Sequence, residues 1–409
     1  MPEWNFLTSV RPVRRWSSML VGLILAGCVT ATGVTQTQVQ RGEYLARAGD
    51  CQFCHTAKGD PSALLAGGRR IDTPFGYMLT PNITPDRNTG IGRWSSDDFY
   101  RALHDGVNKR GEDMYPTMPY IHYTKVSRGD IDAIYAYLKT VKPVKNAIDI
   151  NHLRFPYNQR LSLVAWRELY FHEGAFKPDL NRSAAWNRGA YLVEGLGHCS
   201  DCHSPRNSLG AVEKNKKFSG ALLNNWYGPN LNSDMATGLG SWAVEDIATY
   251  LKTGAYRGKT TALGPMAEVV QTSTSHLNDA DLKAMGEYFK SLTPDSHLIS
   301  ADPKRQQGAK LYAGNCAECH QSNGRGISGA VPPLAGNGAV VAPDPSDVIN
   351  VVLRGIPPRG TYVRMPSFAQ HITDTQIAEI ANYVRMSWGN AAPANATSKA
   401  VAKLRVSVK

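Results

Sequence analysis

Apolar residues recur at helical spacing in three widely separated parts of this chain. Ile131, Ile134, Tyr135 and Leu138 fall at i, i+3, i+4 and i+7 with polar residues between them. Leu282, Met285 and Phe289 do the same, and Ile377, Ile380, Ala381 and Val384 form a third stripe. Each pattern predicts an amphipathic helix, and the third opens with Thr373 and Gln376 at capping-box spacing. Strand-like alternation is scarce, so the expected class is all-α. Residues 161–171 form an aromatic-rich helical patch, expected to pack between its neighbours or to face a partner or a membrane. The apolar run 19–26 is too short to span a bilayer. It follows Arg11, Arg14 and Arg15, the pattern of an export signal, and no later stretch is apolar enough to cross a membrane.

Cysteine placement brings in the chemistry. Six of the seven cysteines lie in three C-x-x-C-H stretches: Cys51–Cys54–His55, Cys199–Cys202–His203 and Cys316–Cys319–His320. This is the signature of covalent c-type haem attachment. Cysteines three apart on a helical turn point the same way, so both sulfurs reach one edge of a haem, and the histidine that follows ligates iron from below. A redox pair or half a zinc site would explain one copy. Neither explains a histidine after the second cysteine every time. Three haem c groups are therefore expected. The seventh cysteine, Cys28, ends Leu25-Ala-Gly-Cys28, which resembles a bacterial lipobox, so residues 1–28 are expected to be a signal peptide with Cys28 lipidated; ordinary cleavage near Ala31 is the alternative. Either places the protein outside the cytoplasm, on the periplasmic side of the inner membrane.

The stretches around these motifs repeat. Arg41-Gly-Glu-Tyr44-Leu45 returns as Arg188-Gly-Ala-Tyr191-Leu192 and, more weakly, as Gln307-Gly-Ala-Lys-Leu311. Pro81-Asn82-Ile83 returns as Pro229-Asn230-Leu231, and the Thr89–Trp94 segment as Thr237–Trp242. Cys51 to Trp94 and Cys199 to Trp242 both span 43 residues, which predicts a gap-free duplication offset by 148. Three tandem class I-type cytochrome c domains follow, at 35–145, 188–292 and 307–390. A connector with the aromatic helix occupies 146–187, a polar linker 293–306, and a mobile tail 391–409, in which residues 398–409 offer a basic interfacial segment.

An electron-carrying haem needs a second axial ligand, commonly methionine. Met118 lies 63 residues after His55, and Met266 lies 63 after His203. Met365 lies 45 after His320, in a matching Pro-flanked loop. These three are the expected ligands, with Met114 the rival to Met118 and His371 the rival to Met365. The remaining histidines have no repeat-consistent position and read as surface or structural groups. Asn82 and Asn230, like Trp94 and Trp242, either meet the haem or build loops. The formal charge of +11 suits an acidic protein partner or anionic lipid, and nothing resembles a nucleic-acid module.

From Arg41 to about Asn390 the chain resembles the three-haem cytochrome c subunit of bacterial membrane-bound dehydrogenases. The carrying segments are Asn82-Ile-Thr-Pro-Asp86, Thr89-Gly-Ile-Gly-Arg-Trp94, Tyr115-Pro-Thr-Met-Pro-Tyr120, residues 186–199, Gly264-Pro-Met-Ala-Glu-Val-Val270 and Ser387-Trp-Gly-Asn390. The resemblance implies His/Met ligation at all three irons. It also implies an electron-transfer subunit with no catalytic residues of its own. A dehydrogenase catalytic subunit of quinoprotein, flavoprotein or molybdenum type would supply electrons, with a small third subunit as a further partner. Electrons would then pass haem to haem to ubiquinone or a terminal oxidase at the membrane surface. A free-standing carrier is the alternative; a peroxidase-type enzyme would need an iron without its methionine.

Overall fold

The computed structural model describes residues 36–223, 225–235, 237–256, 260–294 and 306–407. The export signal, Cys28 and most of the linker lie outside the described residues. The first repeat contains α1 (Gln36–Ala48), α2 (Cys51–His55), α3 (Ser96–His104), α4 (Tyr120–Tyr123) and α5 (Arg128–Leu138). The connector supplies α6 (Leu161–Tyr170). The second repeat contains α7 (Ala184–Tyr191), α8 (Ser200–His203), α9 (Val244–Thr253), α10 (Gly264–Thr272) and α11 (Asp279–Lys290). The third contains α12 (Gln306–Asn315), α13 (Ala317–His320), α14 (Gly338–Val341), α15 (Ser346–Arg354) and α16 (Asp374–Arg385), followed by α17 (Ser398–Val406).

The three apolar stripes are the buried faces of α5, α11 and α16, and each helix is capped by a side chain, from Ser127, Asn278 and Thr373. Thr373 and Gln376 form the full reciprocal capping box, which satisfies two otherwise orphaned backbone N–H groups. Each closing helix crosses the leading helix of its repeat at a glycine. A Cβ on Gly42 would sit 1.9 Å from the Ala133 carbonyl oxygen, and one on Gly189 1.9 Å from that of Ala284; Gly308 meets Glu379 in the same way. The repeated Arg-Gly-x-Tyr-Leu segment is thus a helix-crossing motif.

The fold is mainly helical but departs from the all-α expectation. Strands β1 (Arg70–Thr73), β2 (Gly76–Leu79) and β3 (Asn151–Leu153) form an antiparallel sheet in the order β1-β2-β3. Strands β4 (Ala221–Leu223) and β5 (Trp226–Gly228) form one hairpin, and β6 (Ala255–Tyr256) and β7 (Thr260–Thr261) another. Strands of two to four residues are too short to show alternation. They are held by cross-strand pairs instead, as where Tyr77 stacks on its register partner His152 at 4.5 Å. The hairpins also correct the gap-free duplication. Gly67 donates to the His55 carbonyl and Gly220 to that of His203, so these glycines are equivalent. The second repeat has five more residues before this point and five fewer in the hairpin after it, which leaves the total unchanged.

The first two repeats share one continuous core. Leu45, Phe99, Ile131, Ile134 and Leu138 pack in the same cluster as Leu192, Leu196, Ile247, Leu282 and Phe289. Across that core the repeats exchange tyrosines. Arg41 pairs with Asp130 of its own closing helix, and Tyr191 donates to the other oxygen of Asp130 at 2.6 Å. Arg188 pairs with Asp281 through two bonds of 2.8 and 2.7 Å, and Tyr44 donates to Asp281 at 2.6 Å. Glu194 adds a buried charge cluster, accepting from Lys125 of the first repeat at 2.7 Å, from Tyr288 at 2.6 Å and from Lys217.

The third repeat has its own core around Tyr312, Ile349, Ile377, Ile380 and Val384. Its described links to the second include the Tyr227 N–H donating to Asp347 at 2.8 Å and Asn350 donating to the Asn225 carbonyl at 2.6 Å. Helix α6 bridges the first two repeats: Arg167 donates to the Asp105 carbonyl and Trp166 to that of Leu209. Its opposite face leaves Leu161 and Leu169 exposed. The tail is corrected as well. Residues 398–406 form α17, capped by Thr397, with Val401 and Leu404 buried against the third core and Arg405 paired with Asp374. Its alanine and lysine composition hides a one-turn apolar spacing that is enough for docking.

Two outcomes follow. Gly189→Val forces α7 from α11 and should cost about 3 kcal/mol, read as a lower urea midpoint. Burial opposes the charge of Glu194, yet Lys217 and Lys125 hold its carboxyl down at about 2. The stability it contributes is complete above the usual glutamate range and is lost as pH falls toward 2. Glu194→Gln should therefore lower stability at neutral pH and flatten its loss between about pH 5 and pH 2, measured by denaturant midpoints across that window.

Candidate haem-attachment sites

Each C-x-x-C-H stretch folds as a short helical turn, α2, α8 or α13. In the first two repeats the residue before the first cysteine, Asp50 or His198, has a positive φ of 52° or 35°. This kink turns the chain out of the leading helix. Among the described residues the six cysteines form no disulfide. Burial pushes the Cys51 and Cys199 thiols up to about 12 and that of Cys316 to about 11. These are not the lowered thiols on which a C-x-x-C redox centre depends.

The histidines are set by a recurring bond. Nδ1 of His55 lies 2.8 Å from the Pro81 carbonyl oxygen, Nδ1 of His203 lies 2.7 Å from that of Pro229, and Nδ1 of His320 lies 3.1 Å from that of Pro332. A carbonyl can only accept, so Nδ1 carries the proton and Nε2 holds a lone pair. Burial lowers all three imidazoles below the ordinary histidine range, against the opposing pull of the proline carbonyls. The rings are therefore neutral at neutral pH, as a metal-ligating imidazole must be. Two thiols and one Nε2 lone pair on each turn fit covalent attachment of haem and ligation of its iron.

The methionines differ in burial. Met118, Met266 and Met365 are half-buried, whereas Met78, Met285 and Met386 are fully buried core residues. Met118 sits in a turn, its N–H donating to the Tyr115 carbonyl at 3.0 Å, and packs against the shared core, as does Met114. Met266 is the third residue of α10 and faces the same core. Met365 pairs antiparallel with Ile356 and packs against the third core, while His371 is exposed. Asn82 and Asn230 build loops: their side chains bridge Thr89 to Thr84 and Thr237 to Asn232.

Sequence reasoning missed two features. Two of the proline carbonyls that orient the histidines, those of Pro81 and Pro229, lay within the repeated Pro81-Asn82-Ile83 segment but could not be assigned a role. His122 is buried and contacts the second repeat, with Nδ1 3.2 Å from the Glu194 carbonyl and Nε2 3.3 Å from Asp201 Oδ1, between the attachment cysteines. It has no counterpart in the repeat, so nothing in the sequence marked it.

Comparison with known proteins joins these observations. Residues 303–384 match the family described as cytochrome C oxidase, cbb3-type, subunit III. The chain is 38% identical to the gluconate 2-dehydrogenase cytochrome c subunit of Pantoea cypripedii, over 95% of this chain and 94% of that one. It is 37% identical to the cytochrome c subunit of the quinone alcohol dehydrogenase of Gluconobacter oxydans, over 93% and 84%. It is 36% identical to the fructose dehydrogenase cytochrome subunit of Gluconobacter japonicus, over 95% and 88%. With its attachment turns and neutral imidazoles, the chain belongs to the family of dehydrogenase cytochrome c subunits, electron-transfer proteins that carry covalent haem c and leave the catalysis to a partner.

Proposed function

We propose that this chain carries three haem c groups in three tandem cytochrome c domains. It passes electrons from a dehydrogenase catalytic subunit to ubiquinone or a terminal oxidase at the periplasmic face of the inner membrane. The observation that carries this reading is the threefold recurrence of a histidine, buried in the first two repeats and half-buried in the third, with Nδ1 bonded to a proline carbonyl and Nε2 left as a ligand. When bound, each haem iron supplies a one-electron couple. Cys51 and Cys54, Cys199 and Cys202, and Cys316 and Cys319 hold the three groups. His55, His203 and His320 are the proximal ligands; Met118, Met266 and Met365 complete the axial pairs. The proline carbonyls fix ring orientation and tautomer. Cys28 supplies a lipid anchor. A small third subunit completes the complex. Basic side chains in excess, at a formal +11, favour association with an acidic partner surface.

Met118→Ala, Met266→Ala and Met365→Ala should each open one iron, read as one equivalent of carbon monoxide bound per reduced chain where the parent binds none. Full-strength binding by the parent would overturn the pure-carrier reading. Gentle detergent purification of the tagged protein from membranes should bring down a large dehydrogenase, identified by mass spectrometry. Recovery of an oxidase alone, or of nothing, would replace the subunit with a free-standing carrier.

A further inference from the structure

Helix α10, which carries Met266, is fastened at its two ends to different repeats. Its start lies flat against Trp226 of its own repeat, where a Cβ on Gly264, at φ +47°, would meet the indole at 2.4 Å. The Gln271 carbonyl accepts from His276 of the same repeat at 3.1 Å, but two side chains of the helix reach into the first repeat. Glu268, two residues after Met266, takes a bidentate ion pair from Arg69, with one bond of 2.9 Å. The Arg69 side chain is only 12% exposed, and its guanidinium lies 3.9 Å over the Phe53 ring, inside the first attachment turn. Thr272 donates to Asp50 at 2.9 Å, immediately before Cys51.

The Met118 segment shows the converse. Helix α4 starts two residues after Met118, and its His122 bonds to Asp201 between Cys199 and Cys202 and to the Glu194 carbonyl. Each methionine segment is therefore pinned to the attachment turn of the other repeat, by unrelated residues. A repeat-conserved packing contact would use equivalent residues on both sides; here an Arg–Glu pair does on one side what a His–Asp pair does on the other.

We propose that Arg69 is a positioning residue for the axial methionine of the second repeat, and His122 for that of the first. The two sites would then be mutually braced, neither ligand being held by its own repeat alone. The pair is half-buried, with Glu268 31% exposed, so removing one charge leaves the other partly shielded from water. The inference rests on Met118 and Met266 being ligands.

The test counts carbon monoxide bound by the reduced, haem-loaded full chain, with the spectrum of the methionine-ligated iron and the reduction potential recorded alongside. Met118→Ala should bind one equivalent. Adding Arg69→Ala should raise this to two, whereas adding Arg69→Ala to Met266→Ala should leave it at one. Arg69→Lys should restore the lower number. Glu268→Gln, which keeps the volume, should reproduce the opening if Arg69→Ala gives too little protein. His122→Leu should act with the opposite dependence, reaching two equivalents only beside Met266→Ala. The inference is overturned if Arg69→Ala leaves Met118→Ala at one equivalent, or opens the first-repeat iron instead. If Met118→Ala and Met266→Ala bind none by themselves, the ligation reading fails and the inference falls with it.

Discussion

One hydrogen bond, from imidazole to a proline carbonyl, sets the terms for everything around it. A histidine following two cysteines could present either nitrogen, in either tautomer. The carbonyls of Pro81, Pro229 and Pro332 remove that freedom. They also explain why the loops after each attachment turn are built so tightly. A carbonyl can orient the ring only if its own position is fixed, and the Asx turns at Asn82 and Asn230 fix it. The bond thus transmits the rigidity of a loop to a side chain that must not rotate.

Much of this was legible in the sequence, because haem attachment demands fixed residue types at fixed spacing. The three turns, the closing helices with the cap of the third, and the family resemblance all came from local patterns. What escaped notice was non-local. The hairpins were hidden because strands of two to four residues carry no period. The compensating length differences around Gly67 and Gly220 cancelled in the count between Cys51 and Trp94. Helix α17 was missed because Val401 and Leu404 acquire meaning only against the third core. His122 and Arg69 were invisible as well, since each acts through a residue in another repeat.

The distribution of apolar burial separates the third repeat from the other two. Sharing one core lets each of the first two repeats bury more surface than about a hundred residues would alone. The third closes its own core with help from α17, and its junction with the second includes polar bonds at Asp347 and Asn350. Its leading segment is also the most diverged from Arg-Gly-x-Tyr-Leu: Lys310 stands where the exchanging tyrosine stands in the others, which fits a unit with no reciprocal partner.

The exchanged tyrosines have a consequence for the order of maturation. Asp130 is synthesised 61 residues before Tyr191, and Tyr44 is synthesised 237 residues before Asp281. The first half of the exchange can close only once residue 191 has been made, and the second only once residue 281 has. The mutual contact of the two repeats is therefore complete only after the closing helix of the second has been made. Closure of the paired repeats is thus a late step compared with the pairing of Arg41 and Asp130 inside the first repeat.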